Sequence, residues 1–143
     1  MLEALARAAF EHDVTAIDSR STGSWGWRFV EASYPFLDVV FGEGSAKPIR
    51  LRMDCTDWPE IPPSITLLEV DGSQLGTVPQ NSGSVYNQGP FPGTSRPFVC
   101  MRGVREYHTL HSPDLWDNYR GQPGMDLGGI LFQLWRVWKR GLQ

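Results

Sequence analysis

The chain has 143 residues, 41% apolar and 20% charged, with a formal charge of −3 at pH 7. That length can bury a core without disulfide or metal staples, and fifteen glycines with eleven prolines argue against a long helical bundle. Thirteen basic against sixteen acidic residues, with no basic run beyond Lys139-Arg140, lack the electrostatic footprint that a nucleic-acid backbone requires.

The chain begins Met-Leu-Glu with no basic n-region, apolar h-region or small-residue cleavage site, and no apolar run approaches the ~18 residues of a membrane span. A cytoplasmic protein is expected, with no membrane contact and with Cys55 and Cys100 reduced, each to be judged separately. Only Lys47 and Lys139 carry side-chain amines, so a protein handling reactive acyl groups would offer few of its own to modify.

Leu2 to Glu11 reads as an amphipathic helix, with Leu2, Leu5, Ala6, Ala9 and Phe10 at helical spacing and Glu3 and Arg7 on the polar side; Asp13 and Val14 leave it. Four β runs follow: Trp27 to Tyr34, Phe36 to Gly42, Pro48 to Cys55 and Ser64 to Val70. They are dense in β-branched and aromatic residues and punctuated by Gly or Pro at the spacing of an antiparallel meander. Ile49, Leu51 and Met53 alternate with Arg50 and Arg52, which predicts a sheet covered on one side. Cys55 continues the apolar face of that run and is expected to be a small buried hydrophobe.

From Gly72 to Pro97 the composition turns to Gly, Ser, Pro, Asn and Gln. No periodic segment fits, and one long functional or mobile surface loop is predicted. Pro97 to Met101 then carries Cys100, and a single helical turn is expected from Ser112-Pro113 or Asp114. The last element is a helix capped by Asp126 and running to Arg140. Ile130, Leu131, Leu134, Trp135 and Trp138 form its apolar stripe, and Lys139-Arg140 suit the negative end of the dipole. Gly128-Gly129 cost about 1 kcal/mol each in a helix, which implies a close approach, most simply by the sheet or the cysteine segment. Most tryptophans are expected in the core; Trp116 is better read as packed than as an exposed contact.

Several chemistries are open to the segment after the loop. Cys100 has Arg96, Arg102 and Arg105 nearby in sequence and His108 and His111 eight and eleven residues downstream, the surroundings of an activated thiolate. The alternative is an inert thiol among Phe98, Val99 and Met101. His108 or His111 is either a general base or a structural ring, and Asp114 or Asp117 would orient such a ring or attract an incoming amine. Cys100, His108 and His111 also form C-x7-H-x2-H, a possible zinc set with Asp114 or Asp117 as fourth ligand. Zinc on Cys100 would occupy the nucleophile, so the two readings exclude each other.

The order helix, four-strand meander, loop, cysteine, helix resembles that of the ubiquitin-conjugating enzymes, from Leu2 to Arg140. The detail is closest in Ile49 to Val70, where Trp58, Pro59, Pro62 and Pro63 occupy the places of the family's hydrophobic-aromatic-Pro-x-x-Pro-Pro turn between its third and fourth strands. The cysteine segment is similar to that of divergent bacterial relatives found beside ubiquitin-like proteins, activating enzymes or antiphage cyclic-nucleotide synthases. The resemblance implies one α+β domain spanning residues 1–143, with a helix at each end and an active-site flap at Gly72 to Pro97. It also implies a transferase that needs no cofactor. Cys100 would accept a protein C-terminus as a thioester from an activating-enzyme-like partner and pass it to an amine, in antiphage defence. His108 or His111 would be the base or positioning group and Asp114 or Asp117 would assist the amine. The cargo would be a ubiquitin-like protein or the C-terminus of such a synthase. The family's His-Pro-Asn motif is absent, and Asn81 or Asn87 could replace its oxyanion-stabilising asparagine only by position in the loop. That absence also fits an inactive relative that only binds a partner.

Overall fold

In the computed structural model, which describes residues 1–142, the chain opens with helix α1 (Glu3–Thr15) and the short α2 (Ser19–Ser24). Next come β1 (Trp27–Ser33), β2 (Phe36–Phe41), β3 (Ile49–Asp54) and β4 (Ser64–Leu68), and then the two-residue strands β5 (Tyr86–Asn87) and β6 (Phe98–Val99). Helix α3 (Arg105–Leu110), a 3-10 turn (Trp116–Asn118) and helix α4 (Leu127–Arg140) complete it. Strands β1 to β4 form an antiparallel sheet in sequence order, with a bulge between Phe29 and Glu31. The expected α+β layout, a four-stranded meander with a helix at each end, is present.

One face of the sheet carries Leu37, Val39, Phe41, Ile49, Leu51, Met53, Ile65 and Leu67, all buried. Helix α4 supplies the opposing wall through Leu127, Ile130, Leu131, Leu134, Trp135 and Trp138. Burial of such side chains contributes roughly 1.5–3 kcal/mol each. The other face mixes polar residues with buried Val40 and is not simply wet. Asp38 is fully buried there beneath the bidentate Arg50 guanidinium (2.9 Å to each oxygen), and Arg52 bridges it to Glu31.

Four expectations need correction. Helix α1 runs on through Asp13 and Val14 to Thr15, and its inward face is Ala6, Ala9, Phe10 and Val14, while Leu2 and Leu5 stay exposed. Asp13 explains the extension: its Oδ2 accepts the Trp58 indole N–H and the Leu127 backbone N–H, both at 3.1 Å. The Gly72 to Pro97 loop is not free of structure, because β5 pairs with β6 and buried Tyr86 donates its hydroxyl to the Leu134 carbonyl at 2.7 Å. The single turn expected from Ser112-Pro113 or Asp114 forms as the 3-10 turn Trp116–Asn118, but a further helix, α3, precedes it from Arg105. Gly128 and Gly129 are approached neither by the sheet nor by the cysteine segment. A Cβ at Gly128 would lie 3.2 Å from Ile17 Cγ1, and one at Gly129 would lie 2.6 Å from the Gly124 carbonyl oxygen.

Candidate active site

Strand β6 ends at Val99, and the pairing with β5 continues one step further, the Cys100 N–H donating to the Val85 carbonyl at 2.7 Å. The thiol is therefore held at the mouth of the long loop, half-buried, with Sγ 3.7 Å from His111 Nε2. Burial pushes this thiol up from its ordinary value. The three arginines nearby in sequence do not offset that, because their guanidiniums bond elsewhere. Arg96 reaches Thr66, Arg102 reaches Asp114, and Arg105 reaches the Pro62 and Asp54 carbonyls. The expected arginine-stabilised thiolate is thus not the arrangement formed; the side chain within hydrogen-bond reach of the thiol is His111.

Helix α3 brings His111 to that place. The Arg105 N–H donates to the Pro63 carbonyl, and Glu106 accepts from Ser64 Oγ at 2.6 Å and from the Ile65 N–H at 3.0 Å. The helix is thereby docked on the double-proline link and the start of β4. One turn on, the Tyr107 carbonyl accepts the His111 N–H, and the two rings stack with centroids 4.5 Å apart at 30°.

His108 does a different job. The Gly103 N–H can only donate, so His108 Nε2 accepts it (3.0 Å) and Nδ1 carries the proton, donated to the Asp114 carbonyl at 2.7 Å. With both ring nitrogens given to backbone groups, His108 is a structural ring. This also dismantles the zinc set, since His108 offers no lone pair to a metal. Among the described residues no group of three His, Cys, Asp or Glu side chains is arranged to hold one.

The Asp114 carboxylate accepts the Tyr107 hydroxyl at 2.5 Å, the Tyr119 hydroxyl at 2.6 Å and Arg102 Nε at 3.0 Å. The two tyrosine hydroxyls, with Arg102 behind them, hold its carboxyl down at about 2. Asp117 lies apart, exposed and 3.8 Å from Arg120. Asn87 spends its carboxamide oxygen on the Gly89 N–H, and Asn81 sits exposed in the left-handed region at φ 56°. Cys55 is fully buried at the end of β3, with burial raising its thiol far above the ordinary range. Trp116 is buried 5.9 Å from Trp58 and donates to the Pro59 carbonyl at 2.8 Å.

The structure thus gathers Cys100, His111 and, through Tyr107, Asp114, and sets His108 aside. Residue types alone read Tyr107 as packing and assign Tyr119 no role. The signal available for Tyr107 was its place four residues before His111, one helical turn. Chemically, a half-buried thiol within S–H···N reach of an imidazole can pass its proton to the ring as it attacks an electrophile. No protein-family model matches the chain, and a search of curated proteins returns no match.

Proposed function

We propose that the protein is a ubiquitin-like conjugating transferase of bacterial type, with Cys100 as acyl-accepting nucleophile and His111 as its base. The observation that carries this reading is the 3.7 Å approach of Cys100 Sγ to His111 Nε2 at the mouth of the loop that follows β4. Two further features support it: a helix, a four-stranded meander, a loop, the cysteine and a last helix follow one another along the chain, and the double-proline link is tied directly to the helix that ends at His111. In the first step Cys100 Sγ attacks the thioester carbonyl of a ubiquitin-like C-terminus, or of a cyclic-nucleotide synthase C-terminus, carried by an activating enzyme. A new C–S bond forms, the old one breaks, and the Cys100 proton passes by way of His111 to the departing thiolate. In the second step an acceptor amine attacks that carbonyl, the C–N bond forms as the C–S bond to Cys100 breaks, and the amine's proton passes by way of His111 Nε2 to the departing Cys100 thiolate.

A second reading, a partner-binding protein of the same fold without transfer activity, is favoured by the raised thiol and by arginines that turn away from it. The two are separated by incubating the protein with a bacterial activating enzyme and its ubiquitin-like protein, plus ATP. A thiol-sensitive adduct on a non-reducing gel, lost in Cys100→Ala and slowed at least tenfold in His111→Ala, is expected for the transferase. Absence of that adduct while the activating enzyme is itself charged overturns the transferase reading.

A further inference from the structure

His111 is exposed and follows the last residue of α3, in a backbone conformation (φ −112°, ψ 59°) that ends the helix. Among the described residues its Nδ1 has no hydrogen-bond partner, so no hydrogen bond on that side fixes the plane of the ring. What does contact it is the face of Tyr107, 4.5 Å away at 30°, with Cys100 Sγ on Nε2. The Tyr107 ring is itself held at its far end. Its hydroxyl donates to Asp114 at 2.5 Å, and that carboxylate is fixed in turn by the Tyr119 hydroxyl and by Arg102. Arg102 closes the cluster, lying 3.4 Å from the Tyr107 hydroxyl and over the Tyr119 ring at 5.3 Å. The Asp114 main chain is pinned as well, through His108 and the Gly103 N–H.

We propose that Tyr107 is the positioning residue of this site: its ring sets the plane of His111 against Cys100, and Asp114 fixes Tyr107 by its hydroxyl. The inference rests on the Cys100–His111 pair described above and adds the means by which that pair is held. When the thiol gives up its proton, the S–H bond breaks, Nε2–H forms, and the imidazolium that results lies against an electron-rich ring face, which favours it. The three donors on its carboxylate make Asp114 the clamp of the Tyr107 ring.

The test needs no partner protein. The rate of Cys100 alkylation by iodoacetamide is measured from pH 6 to above pH 10 on the full chain, with peptide mass analysis separating Cys100 from buried Cys55. His111→Ala is expected to slow alkylation at pH 7 by about tenfold and to move the midpoint of the pH profile upward, the effect of losing the imidazolium that forms beside the thiolate when the proton moves. Tyr107→Leu should reproduce most of that loss and move the midpoint of the pH profile the same way. Tyr107→Phe, which keeps the ring and drops the tether to Asp114, should slow it only about twofold. In a His111→Ala background neither Tyr107 substitution should have any further effect; that separates positioning from general damage to the fold. An unchanged profile in Tyr107→Leu, or an equal loss with and without His111, overturns the proposal. Should the leucine variant not fold, the same comparison on Tyr107→Phe decides it. Failure to form a thioester would overturn the transferase reading and leave this one standing, because alkylation reads the thiol directly.

Discussion

Asp114 holds its charge between two tyrosine hydroxyls and an arginine, and its carboxyl titrates at about 2 in the fold against about 3.9 in an unfolded chain. The ionised form therefore favours the folded state above pH ~4, and this contribution fades as the pH falls toward 2. Acid titration of the melting temperature should show a downward slope over that interval, and Asp114→Asn should flatten it; equal slopes in the two proteins would contradict the clamp. The same scale shows where reading residue types reaches its end. His108 and His111 are chemically identical and three positions apart, yet one is spent on the Gly103 N–H and the Asp114 carbonyl while the other faces a thiol. Nothing in Tyr-His-Thr-Leu-His distinguishes them, because the partners come from turns on either side that only the folded chain brings near. The two cysteines could be told apart in advance, since strand alternation alone sends Cys55 inward.

Among the elements, α4 was the most legible, its cap, apolar stripe and basic end each lying where the spacing put them. Asp126 accepts the Gly129 N–H at 2.9 Å, and the stripe is buried throughout. Its two glycines differ in a way that spacing cannot show. Gly129→Ala would drive a Cβ to 2.6 Å from the Gly124 carbonyl and against the capping carboxylate. The expected cost is about 1–3 kcal/mol, the usual range for overpacking. Gly128→Ala meets only the half-buried Ile17 side chain at 3.2 Å, which can turn aside, so the helix-propensity gain of up to ~1 kcal/mol should prevail. Urea denaturation of the two variants should give opposite signs; two losses of equal size would refute the distinction. Helix α2 escaped sequence reading because Ser-Arg-Ser-Thr-Gly-Ser has neither an apolar stripe nor strong helix formers. What starts it is local, Asp18 accepting the Arg20 and Ser21 N–H groups.

At the scale of the molecule, the long Gly72 to Pro97 segment is a loop with an anchor. Tyr86 inserts its ring into the core and its hydroxyl meets α4, while its neighbour Val85 takes the Cys100 N–H. The Cys100 backbone is thus tied to the last helix through one aromatic residue. Tyr86→Phe should cost about 1 kcal/mol of global stability, the net worth of one hydrogen bond, and should speed hydrogen exchange at the Cys100 amide more than at the central amides of β3. Uniform acceleration across the chain would argue that the anchor has no local effect. Strands β1 to β4, the last helix and the inward fate of Cys55 were determined by the sequence alone, because apolar periodicity fixes which face of an element avoids water wherever the chain runs. The pairing of Cys100 with His111 rather than His108, the redirection of the arginines and the role of Tyr107 were decided only by the tertiary structure. Those depend on which backbone donors and acceptors remain unpaired once separate turns meet, and a hydrogen-bond partner, unlike a buried face, leaves no period in the sequence.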